Sequence, residues 1–168
     1  SSLTLAGADN LAQDFGYAPA GHDPNEGFIG DKVYVDINGN NQPDAGEGIE
    51  GVAVQLWDLG ADNAVGGGDD MLLATTLTDE NGNYYFGGLP VDADGEGYQI
   101  IIPASNLAPG QVLGGYNNTV DPNGGNDNQG GAVLLSTANP GISDQDLAQD
   151  FGYQGPYSVS GTLWEDRD

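Results

Sequence analysis

The chain has 168 residues, 38% of them hydrophobic, and no cysteine. This is enough apolar material for one ordinary core, and the lack of cysteine excludes disulfides and thiolate metal sites. Asp and Glu number 26 against 2 Lys and Arg, and the net charge of -24 argues against binding to nucleic acid or to anionic membrane surfaces. Because no apolar run approaches the length of a bilayer span, we also expect no membrane insertion.

The first elements in chain order belong to an internal repeat. Residues 11–17 (LAQDFGY) recur unchanged as residues 147–153, and a weaker echo relates residues 29–36 to residues 159–166. This pattern predicts a tandem array, in which strands at the ends could also complete the sheets of neighbouring subunits in a filament. The predicted units are residues 1–17 as the last strand of a preceding repeat, 18–27 as a linker, 28–153 as one whole repeat, 154–157 as a short linker, and 158–168 as the first strand of a following repeat.

Within the whole repeat, short apolar stretches alternate with clusters of Gly, Asn, Asp and Pro. Residues 52–57 show the period of two that is typical of a strand with one buried face. We find no amphipathic helix, and about seven or eight short strands predict an all-β fold, an antiparallel β-sandwich of two sheets. The predicted strands are residues 28–35, 52–57, 71–77, 84–86, 98–102, 111–116, 132–136 and 147–153.

Residues 36–47 (DINGNNQPDAGE) have the spacing of an EF-hand-type calcium loop. Oxygen-bearing side chains fall at loop positions 1, 3, 5, 9 and 12, but the glycine is at position 4 rather than 6 and no helix flanks the loop. We expect bound calcium, although clustered Asn and Asp also form turns that bind no ion. The expected ligands are Asp36, Asn38, Asn40, the backbone carbonyl of Gln42, Asp44 and Glu47.

Two other segments are weaker candidates for a cation site. One contains Asp121, Asn123 and Asp127, and the other contains Asp144 and Asp146 just before the last predicted strand of the repeat. Their spacing fits no fixed template, so a solvated turn and a cation site both remain open. Adaptation to high salt is an alternative explanation of the acidic composition as a whole.

The combined motifs resemble the B-type repeats of Sdr-like cell-surface adhesins, the SdrD B-like relatives of the Cna-B fold. The resemblance implies an immunoglobulin-like or prealbumin-like sandwich, calcium in the loop of residues 36–47, and a role as a stalk or spacer on a bacterial surface. Many Cna-B relatives carry a Lys–Asn isopeptide bond, but here the last predicted strand offers no Asn to Lys32, the only lysine, and we expect no such bond. The matching segments are IGD at 29–31, DINGN at 36–40, DAGEGIEGV at 44–52, TDENGNYYFGGLP at 78–90 and DFGY at 150–153.

We therefore expect a calcium-stabilised structural repeat of an extracellular protein, secreted or on a bacterial cell surface, whose partners are neighbouring repeats or identical subunits placed head-to-tail. The alternative is an adhesin module that binds an extracellular protein or a glycan through exposed aromatic side chains. An enzyme is disfavoured, because the one histidine, His22, lies in a predicted linker and nothing indicates an apolar pocket for an acid pair. The aromatic candidates are Trp57, Tyr84, Tyr98 and Tyr116.

Overall fold

The computed structural model describes residues 26–91, 96–136 and 144–155. This part of the chain contains short 3-10 helices at Gly60–Asp62 and Ala104–Leu107 and is otherwise built from strands and turns. The all-β prediction is confirmed. The strands are β1 (Glu26–Val35), β2 (Ala53–Asp58), β3 (Met71–Leu77), β4 (Asn83–Pro90), β5 (Glu96–Ile101), β6 (Asn117–Val120), β7 (Val133–Leu135), β8 (Gln145–Asp146) and β9 (Phe151–Gln154).

The strands form two sheets that pack as a sandwich. One sheet has the order β4-β1-β9-β6, with β8 also paired to β1, and the other has the order β3-β2-β5-β7. The long strand β1 organises the first sheet, because its first half pairs with β8 and its second half with β9. Both of these pairings are parallel, so the predicted two-sheet sandwich is confirmed with a mixed first sheet. The described pairings of the second sheet are all antiparallel.

The core lies between the inner faces of the two sheets. As the alternation predicts, Val52, Val54 and Leu56 are fully buried, whereas Ala53, Gln55 and Trp57 are partly exposed. Each large apolar side chain that is fully buried contributes roughly 1.5–3 kcal/mol, so the core is the main source of stability. The largest fully buried side chains are Tyr34, Tyr98, Tyr153, Phe151, Ile29, Leu56, Leu59, Ile100, Ile102, Leu113, Leu135 and Val33.

The predicted strand at residues 111–116 is wrong. Backbone N–H groups there bond to nearby carbonyls, as in Gly114 to Gln111 (2.9 Å) and Tyr116 to Leu113 (3.0 Å), and the strand begins only at Asn117. Gly115, with φ of 86°, takes a left-handed conformation that interrupts an extended chain. The apolar residues of this segment belong to a turn that buries Leu113.

Other boundaries also differ from the predictions. The last strand does not run from residue 147, because the Ala148 N–H bonds to the Asp146 carboxylate (2.8 Å) and β9 starts at Phe151. Residues 26, 27 and 154, which we assigned to linkers, lie in β1 and β9. The first copy of the repeat, His22 and the predicted strand at 158–168 lie outside the described residues.

Candidate metal centre

The loop of residues 36–47 is anchored at both ends to the first sheet. At its start, the Asp36 N–H bonds to the Tyr153 carbonyl (2.8 Å), and at its end the Glu47 carbonyl accepts the Val35 N–H (2.8 Å). The first and twelfth loop positions therefore meet at the end of β1. This closure brings two acidic side chains that are distant in sequence to one end of the sandwich.

Both of these carboxylates are buried, with Asp36 3% and Glu47 4% exposed. One Asp36 oxygen accepts the N–H groups of Gly39 (2.8 Å) and Asn40 (3.1 Å), and the other accepts that of Asn41 (3.1 Å). Burying a carboxylate is costly unless it is hydrogen-bonded or bound to a cation. The loop backbone wraps around Asp36 and supplies part of this compensation.

Glu47 also holds the loop closed through its carboxylate. Its two carboxylate oxygens accept the N–H groups of Ile37 and Asp44, both at 3.0 Å. Asp44 in turn lies close to the ends of two other predicted ligands, because its Oδ2 accepts Nδ2–H bonds from Asn38 (2.7 Å) and Asn40 (2.9 Å). The side-chain groups at positions 1, 3, 5, 9 and 12 thus belong to one hydrogen-bonded loop.

The departure from the EF-hand glycine pattern has a structural explanation. Loop position 6 is Asn41, whose φ of 59° is the left-handed conformation that usually requires glycine, and Asn tolerates it better than most residues. Gly39 at position 4 is also left-handed, with φ of 74°. The Gln42 side-chain amide donates to the Asn41 carbonyl (2.8 Å), and its backbone carbonyl stays a predicted ligand.

The donor set of this loop fits a hard divalent cation. All of its candidate ligand atoms are carboxylate, amide or backbone oxygens, the ligands that calcium prefers. The oxygens of Asp36 and Glu47 that accept N–H bonds retain further lone pairs, so the existing hydrogen bonds do not exhaust them. Asp36, Asn38, Asn40, Asp44, Glu47 and the Gln42 carbonyl are the residues that would hold calcium, which would supply the positive charge that the loop lacks.

The weaker candidates fall in two separate places. Asp121 is 6% exposed, and its Oδ2 accepts the Asp127 N–H (2.7 Å). Its Oδ1 is buried and has no hydrogen-bond partner within the described part of the chain. Asn123 accepts the Gly125 N–H (2.7 Å) in a local turn of the same loop.

Asp144 and Asp146 lie beside the start of β1. The Asp144 carbonyl accepts the Phe28 N–H (3.1 Å), and the Asp146 carboxylate accepts bonds from Ala148 and from the Gln149 side chain (3.1 Å). Asp146 therefore holds the segment that precedes β9 in place. Among the described residues, the acidic group of three whose ligand atoms lie within 4.8 Å of one another is instead Asp62, Asp69 and Asp70, in the β2–β3 loop.

A pair of carboxyls that sequence analysis did not identify joins β1 to the start of β9. Asp31 hydrogen-bonds Asp150, whose carboxylate also accepts the Lys32 backbone N–H. Partial burial, then the charge and hydrogen bond of Asp150, raises the pKa of Asp31 to about 7, and partial burial also raises the pKa of Asp150. With these pKa values the pair would share one proton near neutral pH. One oxygen of Asp150 is buried and has no hydrogen-bond partner among the described residues.

The Asp31–Asp150 pair does not line either of two cavities in the described part of the chain. A cavity of about 340 Å³ is lined by Lys32, residues 45, 46 and 48, Glu80 and Asn81, and another of about 290 Å³ lies beside Ile102. Neither is lined by Asp31 or Asp150.

The Lys32 charge lowers the pKa of Asp31, of Asp150 and of Asp79, so this lysine acts electrostatically on the surrounding acids.

The second copy of the repeated heptapeptide holds most of these contacts. Phe151 and Tyr153 are fully buried. A Cβ at Gly152 would lie 2.7 Å from the Tyr34 ring, so only glycine fits at this position. The Gln149 carbonyl accepts the Tyr84 hydroxyl, and Asp150 pairs with β1. In the described copy, this segment therefore makes packing and polar contacts that tolerate little change.

The aromatic residues considered as a binding platform are not a common exposed surface. Tyr84 and Tyr98 are buried, and the Tyr98 hydroxyl bonds to the Pro90 carbonyl (2.6 Å), so the expectation that they are exposed is wrong. Trp57 is partly buried on the outer face of β2, and Tyr116 packs against the core. Tyr84 and Tyr98 lie in strands that the sequence predicts, but a strand assignment alone does not tell which of its faces is buried.

The fold and the loop together define a two-sheet β-sandwich domain with an EF-hand-like acidic loop. The chain belongs to the SdrD B-like domain family, whose profile matches residues 27–153. Within the described residues, no helix is long and apolar enough to cross a membrane.

Two relatives are similar to the chain over 99% of its length. Serine-aspartate repeat-containing protein F of Staphylococcus epidermidis is 31% identical over 170 residues, and serine-aspartate repeat-containing protein D of Staphylococcus aureus strain Newman is 28% identical over 169. The chain spans 8% and 11% of the lengths of these relatives. The crystal structure of a minor pilin of Streptococcus agalactiae is similar with a TM-score of 0.45 and 11% identity, over 83% of this chain and 49% of that chain.

Proposed function

We propose that this domain is a calcium-stabilised structural repeat, a stalk or spacer unit, of a protein on a bacterial cell surface, and that it is not an enzyme. The observation that carries the proposal is the burial of Asp36 and Glu47 in one loop, with Asp44 and two asparagine side chains completing an oxygen-rich set. Its membership of the SdrD B-like family supports the structural role.

The hydrogen bonds of the loop suggest what calcium would do. Asp36 and Glu47 accept backbone N–H groups, which hold the loop in its closed course. A cation bound there would reduce the repulsion among the carboxylates of the loop. The expected effect is a stiffer and more stable domain, which suits a unit that carries tension or holds a fixed length.

The repeated heptapeptide supports a place for the domain within a tandem array. In the described copy, this segment supplies β9 and its partners in the core. Residues 11–17 have the same sequence and would fill the same place in a preceding unit. The partners of the domain would then be neighbouring repeats, arranged head-to-tail.

Thermal melts in chelator and in millimolar calcium test the proposal. Because a ligand that binds only the folded state stabilises it by mass action, calcium at about 100 times its Kd should add about 2.7 kcal/mol, or roughly 10 °C in Tm. Asp44→Asn should lose most of this rise, because it removes a ligand charge but keeps the side-chain shape. Glu80→Gln, an exposed acid outside the loop, is the matched control and should retain the rise.

The same melts separate calcium binding from general adaptation to high salt. Sodium chloride at matched ionic strength should reproduce little of the calcium effect, because screening acts on all 26 acidic residues rather than on one loop. An equal rise in sodium chloride, or an equal calcium response in Asp44→Asn and the wild type, would remove the loop from the proposal.

A further inference from the structure

Strand β3 is an uncharged edge in a strongly acidic chain. It lies at the end of the second sheet, where β2 is its described partner, and its sequence is MLLATTL. Met71 is 58% and Leu77 63% exposed, and Leu72 and Leu73 are exposed as well. Natural proteins usually protect an edge strand with charged side chains, proline or a covering segment, because an open edge can pair with another strand.

The backbone of β3 offers hydrogen-bonding groups on its open side. The Thr78 N–H bonds to the Val52 carbonyl and the Thr78 carbonyl accepts the Gly51 N–H, both at 3.0 Å, so the peptide groups of Thr78 face β2. Since backbone groups alternate in direction along an antiparallel strand, those of Leu77 and Thr75 face away from β2. A second strand could bond to these groups.

A bulge sets the limit of this regular edge. Ala74 pairs with Leu56 and Leu72 pairs with Trp57, which leaves Leu73 as the extra residue on β3. Bulges twist the strand and interrupt pairing, so the part available to a partner is residues 74–77 with the turn that follows.

The charges at the two ends of β3 indicate which kind of strand can pair there. Asp69 and Asp70 precede the strand, and Asp79 and Glu80 follow it. If two copies of β3 paired in antiparallel fashion, the acidic start of each would lie beside the acidic end of the other. Like charges placed opposite each other destabilise strand pairing, so a second copy is disfavoured and a strand with basic ends is favoured.

We propose that the open edge of β3 is a docking site for an extended segment of another protein, with apolar or threonine residues at its centre and Lys or Arg at both ends. The segment would add to the second sheet as a further strand, with main-chain bonds giving affinity and the charged ends giving selectivity. Lys32 and Arg167 are the two basic residues of the 168-residue sequence, so a segment of this kind does not occur within it. The docking site is independent of calcium in the loop of residues 36–47.

A synthetic peptide of sequence KKTVTVTKK, fluorescently labelled, is a direct probe. Its binding is measured by anisotropy at low ionic strength and in chelator, and its position by amide shifts in nuclear magnetic resonance spectra of the labelled domain. We expect the largest shifts and the strongest hydrogen-exchange protection at Thr75 and Leu77. The peptide EETVTVTEE, with the same centre and reversed ends, should bind at least about tenfold more weakly.

Matched variants at the two edges of the same sheet locate the site. Leu77→Lys places a positive charge on the open edge and should weaken binding of the basic peptide about tenfold or more. Leu134→Lys, on β7 at the opposite edge and 41% exposed in the wild type, should leave binding unchanged. Thermal melts of both variants check that they remain folded.

The remaining outcomes would overturn the proposal. No binding of the basic peptide, or equal weakening by the two variants, would show that the β3 edge is not the site. Equal binding of the acidic peptide would show that charge does not select the partner. Concentration-dependent dimerisation of the domain that Leu77→Lys abolishes, measured by sedimentation with and without calcium, would assign the edge to a second copy instead.

Discussion

The carboxyl pair that joins β1 to β9 predicts an unusual dependence of stability on pH. The pKa of Asp31 is about 7 in the folded chain, against an ordinary value of 3.8, because partial burial and the neighbouring Asp150 disfavour its charge. Between these pH values the folded chain holds a proton that the unfolded chain has released. The free energy of unfolding therefore falls as pH rises from about 4 to about 7, and this contribution is constant above that window.

The size of the effect follows from the difference between the two pKa values. At 1.36 kcal/mol for each pH unit, the full difference corresponds to about 4 kcal/mol. Both carboxyls are only half-buried, so solvent screens much of the repulsion, and we expect about 1–2 kcal/mol. The nearby charge of Lys32 reduces the effect and that of Asp146 increases it.

The variant Asp150→Asn isolates this contribution, because asparagine can still bond to Asp31 but carries no charge. In chelator, it should be more stable than the wild type by about 1–2 kcal/mol at pH 7.5 and nearly equal to it at pH 4.5, as measured by urea unfolding. Glu80→Gln controls for the loss of one negative charge from a chain of net charge -24. Unfolding free energies of Asp150→Asn and wild type that run parallel between pH 4.5 and 7.5 would refute the shared proton.

Two further changes test the packing around the hairpin that follows β3. A Cβ at Gly48 would overlap the Asn81 carbonyl oxygen, so Gly48→Ala should lower the free energy of unfolding by about 2–3 kcal/mol. Gly68→Ala, whose Cβ would meet no described atom within 4 Å, should change it little in the same urea titration. The Thr78 hydroxyl accepts one backbone N–H (2.9 Å) and donates to one carbonyl (2.6 Å). Thr78→Val should therefore lower the free energy of unfolding by about 1–3 kcal/mol. Thr76→Val, at a partly exposed position of the edge strand, should lower it clearly less. An equal loss of stability in a test variant and its control would contradict these contacts.

Local patterns in the sequence were sufficient for most strands. The alternation at residues 52–57 reports which side chains face the core, because a strand with one buried face has a period of two. The segment at 111–116 has similar apolar residues, but its glycines allow tight turns, and hydrogen bonds within the turns replace a sheet partner. Apolar spacing alone does not distinguish these cases.

Contacts between distant residues were beyond the reach of the sequence. The buried Asn106 side chain bonds to both the N–H and the carbonyl of Ala53. Strands β3, β4 and β5 separate these two residues in the sequence. The pairing of Asp31 with Asp150 likewise depends on β1 and β9 being parallel neighbours, which no local pattern specifies. The loop of residues 36–47 could be singled out from the sequence because its residues are contiguous, and the calcium expected there stays a prediction.

The acidic residues of this chain do more than make its surface negative. Asp36, Asp79 and Asp121 each accept backbone N–H groups within their own loops, and the backbone bonds from Asn83 and Asn81 lower the pKa of Asp79. A carboxylate that accepts such bonds fixes the course of a loop in the same way as a cap fixes the end of a helix. Because Lys and Arg are nearly absent, few basic side chains offset the remaining repulsion, and the calcium that we propose would reduce it where carboxylates are buried. The loop between β1 and β2 is where this reasoning applies most strongly, since two of its carboxylates are almost fully removed from water.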